Sequence, residues 1–306
     1  MDPSFFHIGD WHLPPYFMML SLGFTLVVYL ASRWAGRNRL DKGRMIDFGI
    51  LMVLFGMVGA KILHIFADGH LLDYINLCRD PSQVNWYVDQ QECHYLKGVW
   101  DATTQLCHPK GQNCFAWISF SGWAFYGGFI AAALFSIWFI RKQKWPAGKI
   151  CDMGGWTIML GLAWGRMGCF LAGCCFGAVT HNHFGISFPK GSPASREQWR
   201  EGLLHSYREV SLPVHPTQFY EAVLAFTVAA VAYFVIRPKK RFDGQVFLFA
   251  MVSYAIGRFC LEFIRSDERG AFLGVTTSQW IAMVIVAVCI YLYFFFKKRA
   301  DPPTPQ

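Results

Sequence analysis

The 306-residue chain contains no internal repeat, no low-complexity tract and no stretch that reads as a separate soluble domain. A repeat array is thereby excluded, and residues 1–306 are expected to form one domain. No segment interleaves basic with aromatic residues as a nucleic-acid surface would, so the net charge of +8 is not a nucleic-acid footprint and no nucleic-acid partner is expected. Residues Met1–Pro15 lack a basic n-region and an A-x-A site, so the first apolar stretch is expected to remain in the mature chain. No inverted repeat is visible, which counts against an anion transporter built on buried arginines.

What is present in quantity is long apolar sequence. Seven stretches, Pro14–Ser32, Met45–Ala67, Trp117–Ile140, Met153–Leu171, Gln218–Ile236, Gln245–Ile264 and Ser278–Phe296, each approach the roughly 20 residues that a helix needs to cross about 30 Å of hydrocarbon. They are apolar nearly all round, as expected where lipid covers one face. Basic clusters fall in alternate connections: Arg33, Arg37, Arg39, Lys42 and Arg44; Arg141, Lys142, Lys144 and Lys149; Arg237, Lys239, Lys240 and Arg241; Lys297, Lys298 and Arg299. By the positive-inside rule that side is the cytoplasm. The expected fold is all-α and polytopic, with seven transmembrane helices, the N-terminus outside and the C-terminus cytoplasmic. Two external elaborations are expected, an insert over 68–116 and a loop over 172–216.

Four of the ten cysteines, Cys78, Cys93, Cys107 and Cys114, fall in the insert. An external location permits disulfides, and two bridges are expected there, their pairing left open by the sequence. His94 and His108 follow Cys93 and Cys107, which makes zinc the rival reading. Within the insert neither C-x-x-C nor H-x₃₋₅-H occurs, and no metal site is assigned.

Charged residues inside apolar stretches mark cavities or paired sites, because each costs on the order of 2.5–3.5 kcal/mol at mid-bilayer. Five stand out: Lys61, with His64 one turn on, Arg166, Glu221, Arg258 and Glu262. Arg258 and Glu262 are four residues apart, the spacing of an ion pair along one helix face. Three cations against two carboxylates leave one positive charge in excess, which suits a lipid phosphate held by a guanidinium fork. Arg166 lies in a run rich in glycine, Gly165-Arg166-Met167-Gly168 through Gly173 to Gly177, the mark of a close-packed or broken helix end. Pro216 opens the fifth stretch, and Glu221 follows about one turn inside it.

Three segments carry a family resemblance: Gly165-Arg166-Met167-Gly168 with the run to Gly177, His215-Pro216-Thr217-Gln218-Phe219-Tyr220-Glu221, and Tyr254 followed by Gly257-Arg258 and Glu262-Phe263-Ile264-Arg265. Their content and order resemble the bacterial prolipoprotein diacylglyceryl transferases over most of the chain. The resemblance implies an enzyme of the bacterial cytoplasmic (inner) membrane with its active site toward the outer face. It would move the sn-1,2-diacylglyceryl group from phosphatidylglycerol to an exported acceptor, by default the lipobox cysteine of a prolipoprotein, releasing glycerol phosphate without a cofactor. Carried over by position, Arg166, Arg258, Glu262, Tyr126 and Tyr16 are the expected catalytic residues. Arg166, Lys61, His215, Gln218, Tyr220, Glu221 and Tyr254 are expected to bind substrate. Arg166 would hold the phosphate, and Glu262 would orient Arg258.

The chain departs from the family at four of these positions. Tyr126-Gly127-Gly128 stands for H-G-G, Lys61 for an arginine, Cys169 for Asn and Cys174 for Glu, the last followed by Cys175. A disulfide among Cys169, Cys174 and Cys175 is the first reading of this C-x₄-C-C run, ahead of free packing residues, of metal binding with His181 and His183, and of a redox or acyl-carrier role. A thiol-redox or metal-handling protein built on these cysteines is therefore the alternative function, together with a paralogous transferase whose acceptor is another protein or a glycan.

Overall fold

The computed structural model describes residues 6–8, 11–67, 69, 71–86, 90–95, 98–111, 124–265, 271–272 and 274–300. In chain order it has a hairpin of β1 (Phe6–Ile8) and β2 (Trp11–Leu13), then α1 (Pro15–Arg37), α2 (Lys42–Ala67), α3 (Leu71–Arg79) and α4 (Gln90–Tyr95). The hairpin β3 (Val99–Asp101) and β4 (Leu106–His108) follows, then α5 (Phe125–Lys142), α6 (Ala147–Ala172), α7 (Pro193–Arg200), α8 (Thr217–Val231) and α9 (Gln245–Leu261). A last hairpin, β5 (Ala271–Phe272) with β6 (Val275–Thr276), leads into α10 (Thr277–Ala300). Helix ends sit where the sequence puts its breakers. Pro15 opens α1, Pro216 precedes α8, and Gly173 closes α6 in the left-handed conformation that glycine adopts without strain.

Each of the seven apolar stretches coincides with a long helix. The third starts at Phe125, and residues 117–123 of that stretch lie outside the described residues. Six helical segments, Pro15–Arg37, Lys42–Ala67, Phe125–Lys142, Thr217–Lys239, Gln245–Ile264 and Thr277–Ala300, are long and apolar enough to cross a membrane, so the chain is a polytopic membrane protein. Helix α6 has 26 residues, but its glycines, tryptophans and Arg166 dilute its hydropathy below that of the six.

The residues group into two compact units, Met1–Ile46 with Trp145–Gln306, and Asp47–Lys144. In the second unit α2 and α5 pack through small residues, as membrane helices do when backbones approach closely. A Cβ on Gly59 would lie 2.6 Å from the Gly127 carbonyl oxygen, and one on Gly128 would lie 3.0 Å from that of Gly56. Phe55 stacks on Phe135 at 4.6 Å along the same pair of helices. In the insert, Cys93 and Cys107 form a disulfide that ties α4 to β4. The second bridge expected there involves Cys114, outside the described residues. The imidazole of His108 meets the Val84 carbonyl oxygen at 3.0 Å, a packing contact.

In the first unit α6 is central, touching α1, α8 and α9, while α9 also touches α8 and α10. Met159, Val228, Ala229 and Ala250 form its core. At the basic end of α6, Asp152 accepts from the backbone N–H of Val246 (2.8 Å) and from Lys240 (2.7 Å), fixing the start of α9. Partial burial opposes the charge on Lys240, but Asp152 and Asp243 outweigh it and hold the ammonium above its ordinary pKa. The loop from Gly173 to Pro216 has its own small core of Phe188, Ala194 and Val214 under Phe170 and Phe176. Gln198 braces it from inside, accepting from Leu212 N–H (2.7 Å) and donating to its carbonyl (3.4 Å).

Candidate functional site

Three helices of the first unit end at one place. Arg166 lies in the last two turns of α6, Glu221 in the first turns of α8 and Arg258 in the last turn of α9. Their far ends carry the basic clusters, with Lys149 starting α6, Arg237 and Lys239 following α8, and Lys240 and Arg241 preceding α9. The charged site residues therefore gather at the helix ends opposite the basic ones.

Glu221 is the hub. It is 1% exposed, and Arg166 Nε lies 3.1 Å from its Oε1. The same oxygen accepts from the Tyr254 hydroxyl at 2.5 Å, and Arg265 Nη1 stands 3.9 Å from Oε2. A carboxylate this buried requires such partners, because an uncompensated interior charge costs several kcal/mol. The second pair is Arg258 and Glu262, with Nη1 to Oε2 at 2.6 Å across one helical turn, as the four-residue spacing predicts. Thr276 at the end of the last hairpin donates to the other oxygen of Glu262 at 2.9 Å. Nη1 of Arg258 is taken by this ion pair, while its Nη2 is buried without a hydrogen-bond acceptor. A buried guanidinium with orphaned N–H groups is equipped to receive an anion.

The glycine-rich run after Arg166 is pinned to the start of α8. Thr217 donates to the Cys175 carbonyl (2.9 Å) and Gln218 to that of Cys174 (2.8 Å). The backbone N–H of Gly177 reaches the His215 carbonyl at 2.9 Å, and that of Ala178 the Ile264 carbonyl at 3.0 Å. Only glycine fits at 177, since a Cβ there would lie 2.6 Å from Thr217 Cγ2 and 2.7 Å from Ile264 O. Gly165, beside Arg166, opens instead on free space.

Of the residues expected from sequence, Arg166, Glu221, Tyr254, Arg258, Glu262 and Gln218 enter this network. Tyr16 packs against Gly168 near the end of α6. His215 contributes its backbone, while its Nδ1 is buried without a hydrogen-bond partner and its ring faces Tyr220 at 6.4 Å between centroids. Lys61 and Tyr126 belong to the second unit. Lys61 is 4% exposed with its ammonium 5.0 Å over the Tyr74 ring, and Tyr126 is 54% exposed at the start of α5. The disulfide expected among Cys169, Cys174 and Cys175 is not made; all three are free thiols. The chain turns left-handed at Gly173 and again at Cys175, which gathers the three sulfurs within 4.8 Å of one another without joining two of them. Sequence reasoning overlooked Arg265 and Thr276. Arg265 closes the same motif as Arg258 and could have been counted with the buried charges; nothing local marks Thr276, which reaches Glu262 only through the fold.

Fold and site together define a polytopic membrane protein with an arginine–carboxylate centre at one end of its helices. A family model described as prolipoprotein diacylglyceryl transferase matches residues 3–295. The chain belongs to the prolipoprotein diacylglyceryl transferase family and is accordingly a transferase of lipoprotein biosynthesis. Among its relatives are the phosphatidylglycerol–prolipoprotein diacylglyceryl transferase of Clostridium tetani, 24% identical over 96% of this chain and 97% of that protein, and transferase 2 of Clostridium perfringens, 27% identical over 95% and 94%. The corresponding protein of Proteus mirabilis is 28% identical over 100% of this chain and 96% of its own length.

Proposed function

We propose that this protein transfers the sn-1,2-diacylglyceryl group of phosphatidylglycerol to an acceptor outside the cytoplasm, by default the lipobox cysteine of a prolipoprotein. The observation that carries this reading is the pair of guanidinium groups, Arg166 partly buried and Arg258 buried, each set by a carboxylate, in a chain of this family. Glu221 takes Nε of Arg166, which leaves the terminal fork for phosphate oxygens. Arg258, held by Glu262 through Nη1, offers Nη2 to the same anion. In the reaction the acceptor sulfur forms a bond to the glyceryl carbon as that carbon's bond to the phosphate oxygen breaks. Glycerol phosphate leaves with the electron pair, and its growing charge is what the two arginines stabilise. The acceptor thiol gives its proton to water; Tyr126, a phenol at the position of the family's histidine, cannot accept it while neutral. Tyr16, His215, Tyr220 and Tyr254 complete the substrate site.

The same reading takes α6 as a seventh span, with the N-terminus outside and the site toward the outer face of the bacterial cytoplasmic membrane. The position of the basic clusters at the opposite helix ends supports that orientation. We read both units as one membrane domain, since α2 runs unbroken from one into the other.

The test is transfer of labelled diacylglycerol from phosphatidylglycerol to a lipobox peptide by the purified protein. Labelled peptide is expected, and none with Arg166→Ala. Release of glycerol phosphate on addition of membrane extract, with the peptide unlabelled, would assign a different acceptor; no turnover in either assay would overturn the reading.

A further inference from the structure

The transfer reaction leaves Cys169, Cys174 and Cys175 without a task. All three are free thiols, partly buried, and their sulfurs lie within 4.8 Å of one another. Three sulfurs on one short segment cannot all be used by a disulfide. As thiols they bond weakly, to one another and, from Cys174 Sγ, to the Cys169 carbonyl at 3.8 Å. Zinc–sulfur bonds of about 2.3 Å in a tetrahedron place ligand sulfurs about 3.8 Å apart, so this trio needs a contraction of about 1 Å at most to close on one ion.

The cluster is held in place from outside. Cys169 is on the final turn of α6, and Gly173 ends that helix so that Cys174 N–H caps the Cys169 carbonyl at 3.2 Å. Gln218 and Thr217, the first residues of α8, grip the carbonyls of Cys174 and Cys175. Two backbone clamps thus fix the adjacent pair against the helix that bears the third thiol, the support that orients metal ligands elsewhere. The charge also suits a cation with thiolate ligands, because three thiolates around a divalent ion carry one net negative charge and Arg166 lies close enough to Cys169 and Cys175 to interact with them.

We propose that Cys169, Cys174 and Cys175 bind one zinc(II) ion as thiolates, filling three of its four positions and leaving the fourth open. Thiolates select soft and borderline ions over magnesium or calcium, whose ligands are oxygens. On binding, each thiol gives its proton to solvent, and no electron is exchanged. His181 and His183 are exposed and do not belong to the cluster, so neither is a ligand. Activity plays no part in the proposal, which stands or falls separately from the transferase reading.

The experiment is zinc binding by the full-length protein purified in detergent under reducing conditions. One zinc per chain is expected by elemental mass spectrometry, with a thiolate-to-metal charge-transfer band when cobalt(II) replaces it. Zinc should also shield three thiols of the unmodified protein from alkylation, mapped by mass spectrometry to Cys169, Cys174 and Cys175, a readout that needs no variant. Cys174→Ser should weaken binding by more than the roughly 10–100-fold that loss of an outer-shell partner costs. Cys151→Ser, at the opposite end of α6, should leave it unchanged. Absence of retained zinc, a charge-transfer band that survives joint replacement of the three cysteines by serine, or equal alkylation with and without zinc would each overturn the proposal.

Discussion

Replacing Glu221 with glutamine keeps the shape of the side chain and removes the one negative charge that Arg166, Arg265 and Tyr254 share. At an effective dielectric constant of about 20, unit charges at the observed 3.1 Å and 3.9 Å attract by about 5 and about 4 kcal/mol. Desolvation of the carboxylate cancels several kcal/mol of this sum, and removing one partner from a buried ion pair has a net cost of about 3–5 kcal/mol. At roughly 2–4 °C per kcal/mol, thermal unfolding of the purified variant in detergent should shift down by on the order of 10 °C. Tyr254→Phe removes a single hydrogen bond to a charged acceptor and should cost about 1.5–3 kcal/mol. In the double variant the two losses should fall short of additive by about 1 kcal/mol, because the hydroxyl no longer has a carboxylate to serve. A Glu221→Gln protein within about 0.5 kcal/mol of the parent, the range of ordinary surface changes, would show that Glu221 is not the hub that its contacts imply.

Thr276→Val leaves an oxygen of Glu262 without its donor; a stability loss of about 1–3 kcal/mol is expected, with a fall in transfer rate that Thr276→Ser restores. Gly59→Val forces a side chain against the Gly127 carbonyl, a backbone obstacle that cannot swing aside, so loss of about 1–3 kcal/mol and of monodisperse protein in size-exclusion chromatography should follow. Lys240 has its pKa raised by Asp152 and Asp243, so its contribution is complete below the unfolded value near 10.4 and is lost as pH rises through the folded one. The difference in unfolding temperature between the parent and Lys240→Met should therefore be constant from pH 6 to about pH 9 and shrink only in stronger alkali.

The sequence by itself determined the apolar stretches, their connections and the identity of the charged residues within them. Lipid imposes a length and a polarity on each helix independently, so a local window suffices, and Pro15, Gly173 and Pro216 mark helix ends through their own backbone constraints. The Arg258–Glu262 pair was legible for the same reason, since four residues on a helix fix the distance. Which partners Glu221 serves was not legible, because Arg166, Tyr254 and Arg265 lie 33 to 55 residues from it in the chain and meet it only when α6, α8 and α9 pack. Tertiary structure also decided the state of the cysteines. Spacing alone favoured a bridge at C-x₄-C-C, but the left-handed turns at Gly173 and Cys175 and the grip of Thr217 and Gln218 from α8 bring three sulfurs to one point instead of two into a bond. In the insert the reverse held: 14 residues separate Cys93 from Cys107, and the fold of α4 onto the β3–β4 hairpin brings them together.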